Sequence, residues 1–220
     1  MTPTEPTESA AAKPPLITPT FVLAWVANFC QFLVFYLFVT TMALYAVESF
    51  GASDTVGGFA SSAFVLGATC MRVFSGWIVD RVGHKKAALT SLAFVTLVAV
   101  AYFFAHNVAV LIIVRMVHGA AYALTSTALM AVAQSVIPHE RRAEGTGYFA
   151  LGTTLATAFG PAIGLLLANN IGYTTLFAVA LGANIVSLIL ALVLRYPAEV
   201  SSEKPAFKSV SYTHLTLPTK

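Results

Sequence analysis

The residues able to do chemistry are few, and most sit where charge is expensive. Arg115 lies within an apolar run, seven residues from its nearer end, and so is ~10 Å deep at the helical rise per residue. A guanidinium inside a membrane span is costly and is by default a functional residue. His118 and Gly119 follow three and four residues later and share its helical face. Two readings of His118 stay open, a titratable group and a hydrogen-bonding structural one. Asn28 and Gln31, three apart, share a face of the first apolar run, at ~12 and ~16 Å from its start. That depth sets Gln31 level with His118 near the midplane. Phe32 and Phe35 are close by, and Tyr122 is a turn beyond His118. Aromatics with a few amides suit a lipophilic substrate, a cationic one included. They suit ordinary helix–helix contacts equally well.

A second group surrounds Asp80, an acid among bases in the stretch from Gly76 to Lys86 that also holds Arg81, Gly83 and Lys85. Gly83 permits a tight turn and Gly76 a close helix approach. Asp80 reads either as a latch, pairing with a cation or a helix N-terminus, or as an incidental acid in a basic anchor. Cys30 and Cys70 are isolated within apolar runs and make neither a disulfide framework nor a metal site. There is no Gly-x-Ser-x-Gly, no acid pair within a span, and no His in the last two apolar runs. An intramembrane enzyme is therefore the less favoured alternative, and neither cofactor nor metal is expected. A receptor or scaffold would need neither Arg115 nor the small-residue stripe of the fifth apolar run.

The elements that must position these residues are membrane helices. Charged residues are 10% of the chain, against roughly 25% in soluble domains, and mean hydropathy is +0.81. Too few charges remain to wet a globule. Apolar runs fall at about 21–47, 56–79, 87–105, 108–137, 146–168 and 172–194, each about the ~20 residues that a bilayer core requires. Backbone polar groups in lipid must bond internally, so the runs are helices. Turn residues punctuate the gaps: Gly51 to Asp54, Gly83 to Lys86, His106 and Asn107, Pro138 to Arg142, and Asn169 to Gly172. Ten of the twelve Lys and Arg fall on one side of this arrangement and none on the other, Arg72 and Arg115 being within helices. The positive-inside rule then puts both termini in the cytoplasm. Residues 1–19 read as a disordered tail with no signal peptide. Residues 198–220 read as a linker and, from Ser209, a run-on tail on a truncated chain.

Three motifs carry a resemblance. The stretch Gly76-x-x-x-Asp80-Arg81-x-Gly83-His84-Lys85 resembles the signature loop of the major facilitator superfamily, with His84 where arginine is commoner. Arg115, His118 and Gly119 resemble its fourth-helix motif, with His118 where glutamine is commoner. Gly152, Ala156, Gly160 and Gly164, with Pro161 beside Gly160, make a small-residue stripe with a proline kink. It resembles the superfamily's antiporter signature, Leu165 replacing the last glycine. Over residues 20–197 the pattern is most similar to the drug-efflux branch. The resemblance implies an all-α membrane protein: the N-terminal half of that fold, six helices in two inverted three-helix repeats, in the cell membrane. Asp80-Arg81-Val82-Gly83 and Asn169-Asn170-Ile171-Gly172 suit such repeats.

The resemblance further implies transport of a small molecule by alternating access, with a nutrient or siderophore importer as the alternative. The missing six-helix half, or a second copy, is the partner besides lipid, and no nucleic acid is. Protons are an open question. Many antiporters of this kind carry an acid in the first helix, where this chain has Asn28 and Gln31, and no acid lies at membrane depth. A proton carrier is then His118, or sits in the other half, or does not exist.

Overall fold

The computed structural model describes residues 14–194 and Tyr196. Among these residues it has six long helices: α1 (Pro19–Phe50), α2 (Asp54–Val82), α3 (His84–Ala101), α4 (Val108–Val136), α5 (Arg142–Asn170) and α6 (Tyr173–Val193). All six are long and apolar enough to cross a bilayer. Several outrun the apolar stretch that announces them, because polar caps carry the backbone past the lipid-facing part. Thr18 Oγ1 accepts from Phe21 N at 3.2 Å, and Asn107 Oδ1 accepts from Val110 N at 2.9 Å, filling donors that the first turn of a helix leaves free. At its far end α3 tightens into a 3-10 turn, Tyr102–Phe104, before Asn107 starts α4.

The N-terminal approach differs from expectation. Residues 14–18, assigned from composition to a disordered tail, are held in place. Leu16 is buried against Ile137, Phe149 and Leu194, and Pro14 O accepts from Arg141 Nη1 at 3.0 Å. An apolar side chain under the ends of α4 and α5 outweighs the Pro/Thr composition around it. The rest of that tail, residues 1–13, and the expected linker and run-on tail from 198 onward lie outside the described residues.

The packing has a two-fold logic. The closest pairs are α2 with α4 and α5 with α1; next come α3 with α4 and α6 with α1; and α3 packs on α6. Exchanging α1 with α4, α2 with α5 and α3 with α6 maps these pairs onto one another, as two three-helix repeats require; α1 also packs on α2, where the matching α4–α5 contact is slight. The matched turns agree. Gly83 after α2 and Gly172 after α5 both have positive φ, +92° and +112°, which glycine adopts at no steric cost.

Both major seams are closed by glycine against backbone. At the α2–α4 crossing, Gly67 lies on the Met116 carbonyl and Gly119 lies on that of Phe64. At the α1–α5 crossing, Gly160 lies on Tyr36 and Gly164 on the Leu37 backbone, while Gly152 faces the Trp25 ring. Lipid tails are as apolar as leucine, so burial does not drive helices together here; close packing does. Gly67→Ala and Gly119→Ala each force a methyl into a carbonyl that cannot rotate away. We expect each to destabilise the bundle by about 2 kcal/mol or more, read as a fall in Tm in detergent. Gly58→Ala, in the same helix α2 but facing open space, should be neutral or slightly stabilising.

Candidate functional site

Arg115 is completely buried where α2 and α4 cross. The glycine seam brings α2 close enough for the guanidinium to use its carbonyls: Nη2 donates to Ser61 O at 2.8 Å, and Nε to Ala60 O at 3.4 Å. The charge also lies over two ring faces, Phe64 at 4.8 Å and Phe38 at 6.0 Å, an attraction that grows when water is excluded. Nη1 is buried with no partner among the described residues. No carboxylate neutralises the group, since the one ion pair among the described residues is Arg141–Glu144, at an exposed helix start. The site thus holds the guanidinium with carbonyl dipoles and aromatic faces. Both N–H groups of Nη1 stay unspent, at a cost of about 1–3 kcal/mol.

His118 is buried one turn along. Its Nδ1 lies 2.9 Å from the Tyr102 hydroxyl, and Phe64 and Phe38 stand edge-on to its ring at 5.3 and 6.2 Å. Its level is therefore that of Phe38, two turns beyond Gln31 on α1, and the common depth expected for His118 and Gln31 is not found. Counting from one end of each helix fails because the ends themselves stand at different heights. Gly119, beside His118, serves the α2–α4 seam.

The two amides of α1 face into the bundle. Gln31 Nε2 donates to Asn184 Oδ1 at 2.9 Å, and Asn184 Nδ2 donates on to Ala180 O. Asn28 is buried as well, and the nearby Ala27 carbonyl accepts from Ser187 Oγ at 2.9 Å. These contacts pin α1 to α6. Phe35 and Tyr122 take the other face, ring centroids 5.9 Å apart and nearly parallel, with Phe32 edge-on to Tyr122 at 5.5 Å. With Phe64 and Met71 they form a cluster drawn from α1, α2 and α4 alone. The four residues expected to line a cavity thus divide into a buried polar pair and an aromatic pair of which Tyr122 is buried and Phe35 partly open.

At the α2–α3 junction, Asp80 is exposed at the last turn of α2, and Arg81 lies over the Trp77 ring at 5.3 Å. Lys85 lies over the Tyr196 ring at 5.7 Å, which ties the chain beyond α6 to this loop. Gly83 makes the turn with positive φ. Gly76 faces open space; no described element makes the close approach expected there. The stripe Gly152, Ala156, Gly160 and Gly164 is buried throughout, along the α1 side of α5, and α5 remains helical through Pro161.

Sequence reasoning missed Tyr102, Asn184 and Gly67. Asn184 and Ser187, three apart in an otherwise apolar run, are the one signal that pointed to the α6 side of the Gln31 pair. Gly67 follows Ala63 by four residues, the small-residue spacing of a close crossing. Nothing local marked Tyr102 as the partner of His118.

The Major Facilitator Superfamily model matches residues 24–217. The staphylopine export protein of Staphylococcus aureus is 31% identical over 133 residues, 60% of this chain and 32% of that protein. The multi-drug resistance efflux pump PmrA of Streptococcus pneumoniae is 28% identical over 210 residues, 89% of this chain and 51% of that protein. The tetracenomycin C resistance and export protein of Streptomyces glaucescens is 22% identical over 147 residues, 67% of this chain and 27% of that protein. The chain spans about half or less of the length of these relatives. Six membrane-length helices in two matched triplets and a family match across nearly all of them establish a multi-pass membrane protein rather than an enzyme, and the chain belongs to the major facilitator superfamily.

Proposed function

We propose that this chain is the N-terminal half of an efflux-type secondary transporter in the cell membrane, with both termini cytoplasmic. It rocks against a second six-helix bundle to export a small lipophilic molecule. The observation that carries the reading is Arg115: a fully buried cation without a carboxylate, placed on the crossing of α2 and α4. A charge kept there at such cost suits a switch element, because small changes in the seam exchange its carbonyl partners. Similarity to proteins named for export of staphylopine, of multiple drugs and of tetracenomycin C favours outward transport.

The other residues take roles around that element. Asp80, exposed beside the open flank at Gly76, is the cytoplasmic latch that pairs with the other half, with Arg81 and Lys85 held by Trp77 and Tyr196. The glycine stripe of α5 sets how α1 and α5 slide. Phe35 and Tyr122 line the cavity. His118, bonded to Tyr102, is the group in this half able to carry a proton.

Dye efflux from cells expressing the complete gene tests the core of the reading. Arg115→Ala and Asp80→Asn should each slow export of a lipophilic dye by about tenfold at equal protein abundance; unchanged export in both sinks the assignments. His118→Gln keeps a partner for the Tyr102 hydroxyl but cannot be protonated. If His118 couples protons, this variant exchanges dye across the membrane yet no longer responds to an imposed pH gradient. A retained response removes His118 from coupling. For orientation, an impermeant thiol reagent should label Ala52→Cys in intact cells and Lys86→Cys only after permeabilisation, each in a background with Cys30 and Cys70 replaced by Ser. The opposite pattern inverts the topology.

A further inference from the structure

The second arginine at membrane depth, Arg72, has no part in the transport scheme built on Arg115. It lies ten residues from the Val82 end of α2, ~15 Å along the helix axis, and unlike Arg115 it is exposed. Its hydrogen bond to the bundle is a long one, Nη2 to Ser126 Oγ at 3.4 Å, while that hydroxyl itself donates to Ala123 O at 3.2 Å. One turn along α2, Ser75 Oγ meets Thr127 Oγ1, the neighbour of Ser126, at 3.0 Å. Ser126 is therefore within about a turn of the Arg72 Cα, and the guanidinium has not run on to the headgroups. A guanidinium carries five N–H donors, and among the described residues no carboxylate is paired with this one. A charge held at that depth on an open face is not directed at lipid; it belongs to a water-lined face.

The surroundings of Arg72 give that face a composition. Tyr122 is one helical turn from Ser126 on α4. Phe35, Phe32 and Met71 pack with Tyr122. Thr69, one turn from Arg72 on the same helix face, is exposed. A planar cation with most of its donors unspent thus stands at the edge of an aromatic cluster. The acids of the described residues are Glu48, Asp54, Asp80, Glu140 and Glu144, all at helix ends, so no described residue neutralises it.

We propose that Arg72 is a substrate-recognition residue, and that the transported molecule carries a carboxylate or comparable oxyanion beside an aromatic or otherwise flat apolar part. This deepens the transport reading and rests on it for the identity of the cavity. It also reverses the sign of charge that the aromatic residues alone allowed. The planar fork takes a carboxylate by two parallel N–H···O bonds, and the partly exposed Phe32 and Phe35 rings, backed by buried Tyr122, take the apolar body.

Binding tests this without requiring transport, so a failure of efflux leaves the measurement intact. The complete gene product in lipid nanodiscs is titrated with rhodamine B, which carries a carboxylate, and with its ethyl ester, which has the same rings without it; fluorescence polarisation reads both. The wild-type protein should prefer rhodamine B. Arg72→Gln should weaken rhodamine B by about tenfold or more and leave the ester within about twofold of wild type. Arg72→Lys, which keeps the charge but loses the fork, should recover part of the loss. An absent preference in the wild type overturns the proposal, whether both dyes bind equally or neither binds. Equal weakening of both dyes by Arg72→Gln also overturns it, and assigns Arg72 to an ion pair with the other half. A Thr69→Cys reporter, with Cys30 and Cys70 replaced by Ser, gives a separate reading. An impermeant charged maleimide must label it if the face is aqueous, and no labelling overturns the proposal as well.

Discussion

The bundle depends on how closely two pairs of helices approach. In lipid the hydrophobic effect does not favour one helix–helix contact over another, so the pairs that form are those whose backbones can touch. Gly67 and Gly119 make that contact for α2 and α4, and Gly160 and Gly164 for α5 and α1. The two seams correspond under the exchange of the three-helix repeats, and the turns at Gly83 and Gly172 correspond with them. This spacing fixes the surroundings of the buried charge. Arg115 reaches the Ala60 and Ser61 carbonyls only because α2 lies against α4 at this level. The Phe38, Phe64 and Tyr102 rings then close around Arg115 and His118.

The charges at the basic end of the bundle show which of two fields dominates. Lys85 and Lys86 lie in the first turn of α3, whose N-terminus is capped by no side chain and has no acid, while Asp80 lies near the C-terminus of α2. Both placements oppose the helix macrodipole, at about 0.3–1 kcal/mol each for exposed groups. The bias that favours basic residues on one side of a bilayer accounts for the first, and a ring contact softens it, Lys85 over Tyr196. Asp80 is left as an exposed acid where its own helix does not stabilise it. Such a group is available to a partner from outside the bundle.

Much of the fold was legible because the bilayer makes length and composition decisive. Six runs, five breaks and the turn at Gly83 follow from apolar counts and from where glycine, proline and asparagine stand. The inward-turned face of each helix was not legible. A membrane helix is apolar on all sides, so the period that betrays the core face of a soluble helix is faint here. That is why Asn28 and Gln31 were placed on a cavity, although Gln31 bonds Asn184 across 153 positions of sequence. The same cause hid Tyr102 behind His118. Residues 14–18 misled differently, their composition being that of a tail while Leu16 covers a gap between helix ends. The glycine stripe of α5 was readable because its four-residue spacing survives on any apolar background.

Two arginines at membrane depth make the division of labour concrete. Both lie on the α2–α4 pair and both lack a carboxylate within the described residues, yet one is enclosed and the other open. Arg115 has its field absorbed by carbonyls and ring faces, so a change in helix spacing moves its partners, and a ligand has no direct route to it. Arg72 keeps most of its donors unspent beside a hydroxyl and an aromatic cluster, so a ligand reaches it without any change of packing. Moving Arg72 one residue along α2 would rotate it by about 100°, off the Ser126 side of the helix. Moving Arg115 by one would turn it off the α2 carbonyls and strand a cation in the core. Buried charge answers to helix geometry and open charge to what fills the cavity, and helix periodicity alone separates the two within a single pair of helices.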